Sequence, residues 1–228
     1  MALHFDRLKN TLTKYNLLNR PHLIYNIDEK DVYTDSKASK PTSDTTILAC
    51  GSATGNSIPP YFIFSDKTFT QSWMSQCPPG TAGTSKSDWS NSEILFDYLK
   101  NHLLKFIPAP TTESPILLIL DGHRNHLNMQ ILEWTKQKNI ILCILPAHSS
   151  QLLQPLEVTC FPPFQLYITE KIETLTKDPQ CEHICNLILQ AYLEGLKPKN
   201  LIDGFQKAGI VPFSPIKTVS EDVFETVT

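Results

Sequence analysis

The chain has 228 residues, 41% of them hydrophobic and 19% charged, which suits a folded domain with a substantial core and excludes a disordered chain. Its 20 basic and 23 acidic residues give a net charge of −3, which excludes a uniformly basic nucleic-acid-binding surface. No apolar run approaches the ~20 residues of a membrane span, and the first residues lack an apolar secretory core, so a soluble intracellular protein without membrane contact is expected.

Leu8, Leu12, Tyr15 and Leu18 recur at helical spacing and predict a helix over 3–19, stopped by Pro21. The run from His22 to Ile27 predicts a strand ending at Asp28, with a polar loop or weak hairpin over 31–41. Residues 45–50 and 58–64 predict two further strands joined by the small, turn-forming residues Gly51–Asn56, together an N-terminal antiparallel meander. Residues 65–91, rich in Ser, Thr, Pro and Gly, predict an irregular excursion. A helix is then expected from Ser90-Asn91-Ser92-Glu93 through Leu103.

After a loop over 108–115, residues 116–120 predict a buried strand ending at Asp121. A helix is expected over 127–138 and another buried strand over 140–145. A loop over 146–154 leads to Pro155, which suits a first helical turn and places Glu157 near the positive end of that helix. Helices are expected over 156–176, 183–195 and 199–208, and a loose tail over 214–228. This order predicts an α/β fold: a mixed sheet, antiparallel meander plus parallel strands, flanked by helices.

The chemistry centres on Asp28, Asp121 and Glu157. A carboxylate at the end of a buried strand is costly to desolvate unless it is paired or bound to metal. Two like charges about 4 Å apart repel by on the order of 4 kcal/mol at an effective dielectric of 20. Three such acids from separate elements therefore suggest one shared divalent cation. Each acid alone has an ordinary reading as a turn former, a cap or a dipole partner, so the case rests on their combination. His123 and His126 form an H-x-x-H pair, but a zinc site needs more His or Cys, and only His148 offers itself. Trp73, Trp89 and Trp134 fit core or boundary positions better than base-stacking platforms. The six cysteines include no C-x-x-C pair and read as reduced and structural. Only Arg7, Arg20 and Arg124 supply guanidinium groups, which leaves the chain poorly equipped to read base sequence.

Several strings carry a resemblance. They are Ile24-Tyr25-Asn26-Ile27-Asp28-Glu29, Leu117-Leu118-Ile119-Leu120-Asp121-Gly122-His123 with His126 beyond it, and Leu145-Pro146-Ala147-His148-Ser149-Ser150 running into Leu153-Gln154-Pro155-Leu156. With Pro59-Pro60, Trp89–Glu93 and Phe205–Phe213, this chain resembles the pogo/Tigger group of DDE transposases, the superfamily endonucleases also found in jerky-like and centromere-protein-B-like proteins.

The resemblance implies an RNase H-like domain over 21–213, with 1–20 a helical lead-in and 214–228 a tail. It implies that Asp28, Asp121 and Glu157 bind two Mg²⁺ or Mn²⁺ ions and cut and join DNA in the nucleus. Glu29, His123, His126 and His148 are then expected as supporting groups around the acids. The family normally adds an N-terminal helix-turn-helix DNA-binding module, for which residues 1–20 leave no room, and it allows a homo-oligomer. Family members usually carry Asp where Glu157 stands, Thr-Gly where Lys30-Asp31 stand, and His where Gln151 stands. These departures carry the alternative of a domesticated nuclear DNA-associated protein that keeps the fold without cleavage. In that alternative Lys30 pairs with the acids and displaces a cation.

Overall fold

The computed structural model describes residues 2–32, 45–64, 80–85, 91–121, 127–172 and 181–215. Helix α1 (Ala2–Lys14) buries Phe5, Leu8 and Leu12 against the sheet. It ends well before Pro21 because Asn16 takes the left-handed conformation (φ 54°). The Asn16 and Leu17 N–H groups then bond back to Thr13 O at 3.1 Å and Leu12 O at 2.8 Å, closing the helix end. As a result Leu17 is the buried residue, and Leu18, expected on the apolar face, is exposed.

Six strands form one sheet: β1 (Ile24–Val32), β2 (Thr45–Ser52), β3 (Tyr61–Phe64), β4 (Ala82–Ser85), β5 (Ile116–Leu120) and β6 (Ile140–Ile144). Their order is β4-β3-β2-β1-β5-β6. β1, β2 and β3 are the expected antiparallel meander, while β5 pairs parallel to β1 and β6 parallel to β5. Three expectations need correction. β1 runs on to Val32, because β2 pairs with it from Tyr25 to Val32. β4 is a strand inside the stretch expected to be irregular; it is short, made of small residues, and pairs parallel with β3. β6 lies at the sheet edge, so Ile144 is 47% exposed rather than buried.

All eight residues of β2 are buried, because helices cover both faces of the sheet. One face packs α1, α2 (Asn91–Asp97) and α3 (Met129–Gln137) around Leu48, Cys50, Leu95 and Ile131. The other packs Val32, Ile47, Ala49 and Phe62 under α5 (Phe161–Ile172), α6 (Cys181–Gly195) and α7 (Pro198–Lys207). Trp134 meets Phe96 edge to face, a boundary aromatic as expected; Trp73 and Trp89 lie outside the described residues. Cys50, Cys143, Cys160 and Cys185 are not disulfide-bonded, and burial pushes the thiol pKa values of Cys50 and Cys160 up to about 12.

α2 continues through a wide turn, Tyr98–His102, that buries His102. Its Nε2–H donates to Pro59 O at 2.8 Å. Burial lowers its pKa below the ordinary 6.5 and Lys105 adds to this, against the Pro59 carbonyl and Asp97. The folded state thus holds His102 neutral while the unfolded chain takes up the proton, so this contribution to stability is lost as pH falls below 6.5. Urea midpoints at pH 7.5 and 5.5 should differ more for the wild type than for His102→Gln; equal differences would contradict this assignment.

Candidate active site

β1 places the first acid. Side chains alternate along a strand, so Asn26, Asp28 and Lys30 share the face that carries Val32, toward α5, α6 and α7. Asp28 therefore sits within β1, opposite Ala49 of β2, and not at a strand end as expected. The parallel pairing of β1 with β5 runs to Asn26 opposite Ile119. Asp28 and Asp121 each lie two residues past that last pair, Asp28 within β1 and Asp121 just beyond the end of β5.

The third acid arrives on a wide helical turn, Leu156–Cys160, that leads into α5. Pro162 and Pro163 follow, without N–H groups to donate to the turn before them, and a proline ring crowds the carbonyl four residues earlier. A locally widened turn relieves both. Before it, the expected loop contains a short helix, α4 (Ser150–Leu153).

Asn26 ties these pieces together. It is fully buried; its Nδ2 donates to Ile119 O at 3.0 Å, and its Oδ1 accepts from Leu156 N at 3.0 Å. One side chain thus joins β1 to β5 two residues before Asp121, and to the wide turn one residue before Glu157. From behind, Thr159 Oγ1 donates to Asn200 O at 2.6 Å, and α7 packs so close that a Cβ on Gly204 would lie 2.6 Å from Pro155 O. The wide turn is held from both sides.

Electrostatics show what this clamp brings together. The Asp28 carboxyl is held well above its ordinary 3.8, first by burial and then by the Glu157 charge, with a smaller push from Asp121. The Glu29 N–H opposes this by donating to Asp28 Oδ1 at 2.9 Å. Asp28 Oδ2 is buried without a partner. The Gln154 carboxamide lies beside it, near enough to favour the carboxylate, yet its Oε1 and Nε2 are also buried without a well-formed hydrogen bond. Ser150 Oγ donates to Asp121 Oδ2 at 3.2 Å. Among the described residues, no three His, Cys, Asp or Glu side chains are drawn into a closed metal cage. Asp28 is thus an electrostatic neighbour of both other acids, short of a preformed cage.

The other expected residues divide. The Glu29 side chain alternates to the opposite sheet face, and its contribution here is its backbone N–H. His148 is exposed, in a left-handed conformation (φ 59°), two residues before Ser150. His123 and His126 lie outside the described residues. Gln151 is exposed. The Lys30 ammonium stands over the Phe161 ring, 5.2 Å from its centroid, rather than in a pair with the acids. Asn26, Ser150 and Gln154 were not singled out from the sequence. A lone Asn inside an apolar strand, which must be bonded if buried, was the signal for the first.

Residues 42–182 match the DDE superfamily endonuclease family. The chain is also 30% identical over 180 residues to the MFS-type transporter clz9 of Cochliobolus lunatus, across 75% of this chain and 19% of that protein. It spans about a fifth of that relative, whose name describes the longer protein; among the described residues no helix is long and apolar enough to cross a membrane. The catalytic domain of Mos1 mariner transposase superposes with a TM-score of 0.58 at 14% identity, over 90% of this chain and 86% of that one. The Mos1 catalytic domain with raltegravir and Mn gives 0.54 at 12% identity, over 94% of each chain. The Mos1 strand transfer complex gives 0.51 at 12% identity, over 90% of this chain and 57% of that one. The fold is accordingly RNase H-like: a mixed six-stranded sheet flanked by helices.

Proposed function

The chain belongs to the DDE superfamily endonuclease family, and on that premise we propose that this transposase-derived nuclease domain cuts and joins DNA strands at Asp28, Asp121 and Glu157. The observation that carries the reading is the Asp28 carboxyl, partly buried, pressed by the Glu157 and Asp121 charges, with Oδ2 unpaired. Carboxylates crowded in this way suit a cation better than they suit each other.

The donor set fits Mg²⁺ or Mn²⁺, which favour hard oxygen ligands, and a Mos1 catalytic domain has been solved with Mn. Bound there, a divalent ion would polarise a phosphate and supply an activated oxygen nucleophile near neutral pH. The residues of this chain bind and orient. Asp28, Asp121 and Glu157 would hold the ion or ions, with the third acid one methylene longer than the usual Asp. The Glu29 N–H and Ser150 Oγ fix one oxygen each of Asp28 and Asp121. Asn26 keeps Glu157 in range of the two strand-borne acids.

The strings quoted above favour the pogo/Tigger group and a nuclear role on DNA. The alternative, a domesticated domain without cleavage, rests on the departures at 30, 31 and 151 and on the open arrangement of the acids. The turn of Lys30 toward Phe161 removes one of its supports. The test is nicking of supercoiled plasmid DNA by the purified protein with Mn²⁺. Nicking that falls to the protein-free level in Asp121→Asn is the expected result. No nicking by the wild type, or equal nicking by the variant, would overturn it.

A further inference from the structure

Gln154 is an anomaly that the three acids do not explain. Its side chain is 0% exposed, and both polar ends of the carboxamide lack a partner. Buried amides are hydrogen-bonded with few exceptions, and an exception asks for a reason. The main chain is not at fault: Gln154 N donates to Ser150 O at 3.0 Å, and Gln154 O accepts from Val158 N at 3.1 Å. Two residues on, Leu156 N is pinned to Asn26 Oδ1, so the segment that carries Gln154 is anchored to β1. The remaining orphan beside it is Asp28 Oδ2. A buried carboxyl oxygen and a buried carboxamide thus lie beside each other, and neither Asp28 Oδ2 nor Gln154 Oε1 has a well-formed hydrogen bond.

Resting on the reading of the site given above, we infer that the Gln154 side-chain oxygen is a further ligand for the divalent cation held by Asp28. Amide oxygens are ordinary ligands of hard divalent ions. A neutral ligand has a particular advantage here, because a fourth carboxylate would add to the repulsion that already acts on Asp28. The carboxamide NH₂ remains beside the Asp28 carboxylate, where it favours the charged form that binds the ion. The unpaired amide is then a ligand waiting for its ion, and its burial a cost to the metal-free fold.

The experiment is Mn²⁺ calorimetry and thermal melting on the whole chain, free of DNA, for the wild type, Gln154→Leu and Gln154→Glu. Gln154→Leu removes the orphaned atoms at similar volume. The expected result is a metal-free melting temperature equal to or above that of the wild type, with Mn²⁺ bound at least about 10-fold more weakly. Gln154→Glu, which keeps an oxygen ligand, should bind within a few-fold of the wild type. Wild-type affinity in Gln154→Leu would overturn the inference, as would a lowered metal-free melting temperature, which would mark Gln154 as structural. Should Gln154→Leu fail to fold, Gln154→Met is read by the same criteria. A wild type that binds no Mn²⁺ would instead defeat the reading of the whole site.

Discussion

Asn26→Leu should unfold at a markedly lower urea concentration than the wild type and lose Mn²⁺ affinity with it. The substitution is close in volume and apolar, so it leaves no large cavity. It strands two buried partners instead: Leu156 N–H, bonded at 3.0 Å, and Ile119 C=O, also at 3.0 Å. A buried polar group left unpaired costs about 1–3 kcal/mol, so a loss of about 2–5 kcal/mol is expected. Because the stranded N–H belongs to the residue before Glu157, the wide turn should relax away from β1, carrying Glu157 and Gln154 with it. Asn26→Asp separates the two bonds. It keeps an oxygen for Leu156 N but has no donor for Ile119 O, and it buries another charge beside Asp28. It should be destabilised too, with the turn held closer to its place. A stability within 0.5 kcal/mol of the wild type for Asn26→Leu would mean that the clamp is dispensable.

Asp28→Asn should have opposite effects on fold and function. In the metal-free protein the Asp28 carboxyl is desolvated, lacks a partner at Oδ2, and faces the Glu157 and Asp121 charges. A raised carboxyl pKa means that the folded state holds the proton more tightly than the unfolded chain does. Its favourable linkage is present at low pH and lost as pH rises from 3.8 through the folded value. At neutral pH this group therefore weighs against the fold. Asp28→Asn removes the charge and should raise metal-free stability by about 1–3 kcal/mol. Mn²⁺ binding and plasmid nicking should fall to background. Urea unfolding at pH 5 and pH 8 checks the first part: the variant should gain more at pH 8. A variant less stable than the wild type at pH 8 would contradict the charge-crowding account.

Asp28 and Asp121 stand out in the sequence because an apolar run that ends in Asp asks for something to compensate the charge, and the structure makes Asp121 and Glu157 electrostatic neighbours of Asp28. The α/β order, the meander and the helices after Pro155 followed from periodicity and breakers. What was not legible depended on contacts across the sheet. β1 continues through Asp28, Glu29 and Lys30 because β2 supplies a partner along its whole length, which residue type alone does not announce. The Ala82–Ser85 strand has no apolar alternation, and it exists because β3 offers it a backbone edge. Helix α1 stops at Asn16 rather than Pro21 because a left-handed Asn closes it first. The sequence position of Lys30 sets it beside the acids, and the structure gives its ammonium an aromatic face instead. Gln154 carries no signal of its own in the sequence; its burial, not its identity, makes it chemically conspicuous.

The central claim, that Asp28, Asp121 and Glu157 share a divalent cation, is tested most directly by Mn²⁺ titration calorimetry of the DNA-free chain beside Asp28→Asn. The account predicts saturable Mn²⁺ binding by the wild type and an affinity at least about 10-fold weaker in the variant, which remains folded. A wild type that binds no Mn²⁺, or a variant that binds it equally well, would contradict it.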